Sequence, residues 1–274
     1  MYKLAPETQQ RINQMALAAH GLLYRKQRKK NWLAVIGRFF LYDYPRLFRR
    51  LWVYMALATV IFLVAGAGAL LTTQIKPSAA YIFVPGNLDM PDGSMEVTAE
   101  DISARFRGMP KPPMAAGIIT NNISVAFNAF ALGVTAGIGT CYLILFNAMM
   151  IGGIAGHFVN HGLTYEFCSF IAPHGCLEVL TILIAAAAGL RMGLAIVLPG
   201  ALTRKASLRV GAKEAVLLVL GTIPMFIMAG LIEGFITPTY MPGGLKITFG
   251  LFVAVLVIAY LLLSGRDHLP LVER

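Results

Sequence analysis

The 274-residue chain is 57% hydrophobic and only 13% charged, with a formal net charge of +10 at neutral pH. Soluble domains carry roughly 25% charged residues, so the composition excludes an ordinary soluble fold, and several apolar runs near 20 residues mark a polytopic membrane protein. The positive charge is gathered into a few segments, which is how membrane topology is written and not the footprint of a nucleic-acid binder.

Residues 1–50 hold eleven Lys and Arg against only Glu7 and Asp43. The densest run, Arg25-Lys26-Gln27-Arg28-Lys29-Lys30, predicts a cytoplasmic N-terminus. Arg25, Lys26, Arg28, Lys29 and Lys30 also suit anionic lipid headgroups, at about 1 kcal/mol per basic residue near the surface. Setting the topology alone is the other reading of the same charges. Residues 32–50 interleave Trp32, Phe39, Phe40, Tyr42, Tyr44, Leu47 and Phe48 with Arg38, Arg46, Arg49 and Arg50. That pattern predicts an amphipathic helix lying in the interface, interrupted near Pro45. A first span follows over 51–72. The region before it is far too long for a cleaved signal peptide.

Residues 73–115 form the one long polar loop. Asp89, Asp92, Glu96, Glu100 and Asp101 offset Lys76, Arg105, Arg107 and Lys111, so the loop lacks a positive excess and is expected outside. Thr98-Ala99-Glu100-Asp101 reads as the cap of a short helix with Ile102 and Phe106 on one face. The apolar stretch 116–158 is too long for one span and breaks at Gly133, Gly137 and Gly139. Spans over 116–135 and 139–158, joined by a tight inner turn, are predicted. Gly133 with Gly137, and Gly152 with Gly156, have the spacing that lets helices approach closely, within one subunit or in a homo-oligomer.

An outer turn over 157–170 carries His157, His161 and Glu166, and a fourth span covers 170–190 with Pro173 at a first helical position. Residues 191–213 hold Arg191, Arg204, Lys205, Arg209 and Lys213 with no acid, the signature of an inner loop. Spans over 215–236 and 246–264 complete the set. The expected architecture is therefore an all-α polytopic membrane protein of about six transmembrane helices in the cytoplasmic (inner) membrane. Both N and C termini are expected in the cytoplasm, with an N-terminal interfacial amphipathic helix. It divides into a basic segment 1–50, a membrane domain 51–264 with external loop 73–115, and a cytoplasmic tail 265–274.

The chemistry collects around Ala172-Pro173-His174-Gly175-Cys176-Leu177-Glu178. His174 and Glu178, at i and i+4, share a helix face. A carboxylate inside a spanning helix costs on the order of 2.5–3.5 kcal/mol, so it calls for a partner or a function. On the expected topology Glu178 lies about 12 Å below the outer end of its span. His157, His161, Asn121, Asn122 and Glu233 fall in the same outer half. His174, Glu178, Asn121, Asn122, His157, His161 and Glu233 thus form the expected polar cluster.

Three uses remain open for it: a hydrogen-bonded structural pair, a proton or ion relay, and a metal or acid/base centre. His157, His161, His174 and Glu178 are residue types that suit zinc. No HExxH places a general base between two ligands, however. No Walker motif, Rossmann glycine pattern, GxSxG or aspartyl dyad appears, and no cofactor is expected. Cys141, Cys168 and Cys176 match no zinc knuckle or CxxC. A Cys168–Cys176 disulfide is open if that end faces an oxidising compartment.

Asn121-Asn122-Ile123-Ser124-Val125-Ala126-Phe127, then Phe130, Gly133, Gly137, Gly139-Thr140 and Asn147, occur in order before Ala172-Pro173-His174-Gly175, Glu178 and Ala186-Ala187-Ala188-Gly189-Leu190. Over about residues 45–264 this series resembles the stage II sporulation protein M family of integral membrane proteins. Ala148 departs from the Gly that family members often carry there. In spore formers the resemblance implies a membrane component that localises the peptidoglycan-degrading stage II sporulation proteins D and P. In other bacteria it implies an association with MoxR-type ATPases and von Willebrand factor A-like proteins.

The resulting expectation is a non-enzymatic inner-membrane protein that scaffolds or recruits cell-envelope, peptidoglycan-remodelling machinery. Peptidoglycan hydrolases or a MoxR-type ATPase system are the expected partners. The alternatives are a transporter or channel-like protein for an ion or a lipid-linked precursor, with Glu178 and His174 as a relay, and an intramembrane metal-dependent hydrolase.

Overall fold

A computed structural model describes residues 6–23, 31–83 and 111–266, and no strand occurs among the described residues. Arg25, Lys26, Arg28, Lys29 and Lys30, the capping stretch Thr98–Asp101 and the tail 267–274 lie outside them. The chain divides into two units, Met1–Phe39 and Phe40–Arg274.

The first unit holds α1 (Pro6–Leu23) and α2 (Trp32–Arg38). Asn31 caps α2, its side chain accepting a hydrogen bond from the Leu33 amide at 3.2 Å, which satisfies one of the orphan donors of the first turn. No residue of α2 is buried, and Trp32, Leu33, Val35 and Ile36 are all exposed.

The second unit begins with α3 (Tyr44–Arg50), which follows a π-helical turn at Phe39–Asp43. The interruption therefore lies ahead of Pro45, which sits in the first turn of α3, where its missing N–H costs nothing. After α3 come α4 (Trp52–Ile75), the short α5 (Ala80–Phe83), α6 (Lys111–Ala131), α7 (Ile138–Asn160), α8 (Thr164–Val197), α9 (Arg204–Leu220), α10 (Ile223–Phe235) and α11 (Gly243–Leu263). Five stretches are long and apolar enough to cross a membrane: α4, α7, α8, α9 with α10, and α11. This is a multi-pass membrane protein. The sequence placed a further span over 116–135. A helix does run there, but α6 carries Lys111, Asn121, Asn122 and Asn128 and is not among the five.

The unit is built around α8, which packs against α4, α6, α7, α9, α10 and α11. The reason lies in its sequence. Residues Thr181–Leu190 are buried without interruption, and a helix apolar on every side belongs inside others. Its run Ala185–Gly189 presents almost no side-chain bulk, so neighbouring backbones come close. A methyl group at Gly133 would land on the Gly189 backbone, where the end of α6 crosses α8. The predicted tight turn between α6 and α7 is present, with Ala136 and Gly137 both at positive φ.

Two expectations about α8 are corrected. The helix starts at Thr164, so the expected outer turn over 157–170 shrinks to His161–Leu163, and Pro173 lies inside the helix. Proline removes an internal hydrogen bond, but packing tolerates it in a membrane helix when neighbours surround the freed carbonyl. Gly250 of α11 lies directly against the Ala172 carbonyl and Pro173. Second, Cys168 and Cys176 are both free. Eight residues apart on one helix, they are separated by about 12 Å along its axis, beyond disulfide reach.

At the other end of the unit, arginines of α3 hold the end of α11. Arg46 Nε donates to the Gly265 carbonyl at 2.6 Å, and Arg49 donates to the carbonyls of Leu261 and Ser264 at 2.7 and 2.8 Å. These are carbonyls that a helix C-terminus leaves unsatisfied. Arg50, next to Arg49, and Arg191 of α8 both bind Glu214 of α9, at 2.6 and 2.7 Å.

Candidate functional site

Glu178 lies about 21 Å along α8, and His174 one turn before it on the same face. The end of α10 meets that face. There Glu233 sits in the last turn and Thr237 follows one turn later. His174 Nε2 is 3.8 Å from Glu233 Oε2, and His174 Nδ1 is 3.2 Å from Thr237 Oγ1. The ligand-type atoms of His174, Glu178 and Glu233 all lie within 4.8 Å of one another. From α6, Asn122 Nδ2 donates to Glu178 Oε1 at 2.5 Å. From α11, Lys246 Nζ donates to the Thr237 carbonyl at 2.6 Å. Four helices thus converge on one polar knot whose imidazole is only 4% exposed and whose carboxylates are half-buried.

The structure separates the seven residues expected to cluster. It joins His174, Glu178, Glu233 and Asn122. Asn121 is exposed and touches the site only through a 3.4 Å contact from its amide nitrogen to Asn122 Oδ1. Adjacent residues on a helix point in different directions, so a single partner takes one of them.

His157 and His161 make a second centre. Their rings meet at a tilt of 44° with centroids 4.4 Å apart, His161 Nδ1 donates to the His157 carbonyl at 2.9 Å, and Phe158 meets His157 edge-on. Among the described residues the one group of three potential metal ligands is His174, Glu178 and Glu233, without His157 or His161. The His157/His161/His174/Glu178 set is therefore not assembled, because the first pair ends α7 while the second lies well inside α8.

Thr237 and Lys246 were not anticipated. The sequence assigns Thr237 to a loop, yet it stands four residues after Glu233 and so continues that residue's helical face past the end of α10. That spacing was the available signal. Lys246 gave none, since its partner is a backbone carbonyl.

Residues 58–238 match the family model described as stage II sporulation protein M, which spans both the α6–α8 crossing and the His174–Glu233 knot. The chain belongs to the stage II sporulation protein M family. An uncharacterized protein of Methanocaldococcus jannaschii is 31% identical over 126 residues, covering 44% of this chain and 69% of that relative. No solved structure matches. The family expectation about position 148 also resolves. Ala148 is fully buried on α7, beside Gly66 of α4, so the packing there accepts the extra methyl group.

Proposed function

We propose that this member of the family is a non-enzymatic scaffold of the inner membrane that recruits cell-envelope, peptidoglycan-remodelling machinery. In this reading α6 is a sixth crossing, both termini are cytoplasmic, and the polar knot lies in the outer half of the bilayer. The basic stretch Arg25–Lys30 and the exposed apolar residues of α2 hold the N-terminal segment on anionic lipid.

One observation carries the reading: the knot's polar groups are directed at one another. Asn122 serves Glu178, Thr237 meets His174, and Lys246 holds the Thr237 backbone, so α6, α8, α10 and α11 are tied into one fixed arrangement. Interhelical hydrogen bonds of this kind specify how membrane helices sit against each other. A fixed outer surface is what a recruiting protein has to offer, and residues 237–242, which follow the knot, would belong to it.

The test is made in the native host. Peptidoglycan hydrolases carrying fluorescent tags are imaged with and without the chain. Loss of their localisation on deletion, restored by the wild-type chain and not by Asn122→Ala of equal abundance, is the expected result. Hydrolases that keep their positions and a cell wall of unchanged shape after deletion would overturn the reading.

A further inference from the structure

We infer that His174, Glu178 and Glu233 form a binding site for a single divalent transition-metal ion of the zinc class, closed on one side by Asn122 and Thr237. The inference does not rest on the recruiting role, because metal binding is measured on the purified chain without any partner.

The geometry is the first argument. The 3.8 Å between His174 Nε2 and Glu233 Oε2 is too long for a hydrogen bond. It is close to the separation of two ligands on one ion. With bonds of about 2.0–2.1 Å, a tetrahedral zinc holds neighbouring ligand atoms roughly 3.4 Å apart. All three ligand atoms already lie within 4.8 Å of each other, so side-chain adjustments of about 1 Å or less bring them onto a common centre.

The second argument is the state of the imidazole. His174 is 4% exposed, so its two ring nitrogens depend on protein partners. Thr237 Oγ1 lies 3.2 Å from Nδ1 and 3.5 Å from the Ile232 carbonyl, which is the acceptor within reach of the hydroxyl proton. In the tautomer the site would use, Nδ1–H donates to Thr237 and the lone pair of Nε2 points at the carboxylates. A neutral imidazole held at one nitrogen by an oxygen, with the other nitrogen open, is how metal-bound histidine is presented. Lys246 completes the support by fixing the Thr237 backbone at 2.6 Å. Asn122 does the same for Glu178.

Charge balance is the third. Two ionised carboxylates among apolar helices are expensive, and a divalent cation bridging them leaves the site neutral. The donor set also selects among cations. Magnesium and calcium favour all-oxygen sites with more ligands, whereas imidazole with carboxylates suits zinc and its neighbours. Three protein ligands leave a fourth position open.

The experiment uses the full chain, purified in detergent, stripped with a chelator and titrated with zinc chloride. One zinc per chain is expected, with at least a tenfold preference over magnesium. X-ray absorption at the zinc edge should show only nitrogen and oxygen neighbours. Glu233→Gln and His174→Ala should each weaken binding at least tenfold, and Thr237→Val by about 10–100-fold, while His157→Ala leaves it unchanged. Failure of the wild-type chain to bind stoichiometric zinc would overturn the inference, whatever the folding of the variants. Sulfur in the coordination sphere would do the same, as would zinc that survives His174→Ala.

Discussion

Glu178 is half-buried on α8 and accepts its described hydrogen bond from Asn122, a residue of another helix. Removing that amide leaves a half-buried carboxylate oxygen without its donor, which costs on the order of 1 kcal/mol. Asn122→Ala is therefore expected to lower the thermal midpoint of the detergent-solubilised chain clearly. Asn121→Ala, at an exposed position, should stay within about 0.5 kcal/mol of wild type. Equal midpoints for the two variants would show that Glu178 does not depend on Asn122. At this scale the sequence was informative about kind and poor about partners. A carboxylate and an imidazole four residues apart on an apolar stretch announced themselves. Which asparagine reaches them depends on the rotation of α6, and nothing local encodes it.

The contact between α4 and α7 shows what small residues do for a whole element. Gly152 faces Gly66 so closely that a methyl group at 152 would overlap the Gly66 carbonyl, and one at Gly156 would meet Leu70 and Thr73. Backbone-to-backbone approach of this kind takes the place of the hydrophobic drive that lipid removes. Gly152→Ala should cost about 1–3 kcal/mol through overpacking. Gly68→Ala meets open space and should be neutral within about 0.5 kcal/mol. Thermal unfolding of the two variants side by side checks this, and an equally harmless Gly152→Ala would mean the two helices are free to separate. The GxxxG spacing was visible in the sequence; its partner was not. The same spacing serves contacts between copies or within one chain, and here Gly152 and Gly156 face α4 of the same subunit.

Across the whole molecule, the arginines of α3 lie against residues 261–265, while the His174 knot lies where α10 ends and α11 begins. The first and last parts of the second unit therefore meet at one end, and the knot sits toward the other. On the proposed topology, the positive-inside rule predicts that the arginine end faces the cytoplasm. In a chain whose Cys141, Cys168 and Cys176 are replaced by serine, Ser94→Cys should react with an impermeant maleimide added to intact cells, and Gly200→Cys should react only after the membrane is opened. The reverse pattern would invert the orientation and place the knot in the inner half.

The apolar runs, the basic flanks and the Gly137 turn were determined by the sequence alone. They express local or one-dimensional constraints: hydropathy over a span, charge beside it, and a backbone angle that glycine tolerates. The start of α8 was misjudged for a physical reason. Pro173 suits a first helical position, and that local signal was overruled by the helices packed around it, Gly250 of α11 among them, which belong to the tertiary structure. The site divides in the same way. His174 and Glu178 are joined by helical spacing and were legible at once. Glu233, Asn122, Thr237 and Lys246 come from other elements, and His157 with His161 goes elsewhere. Only the packing of α6, α10 and α11 around α8 decided which polar groups share a centre, because burial leaves each of them dependent on the others.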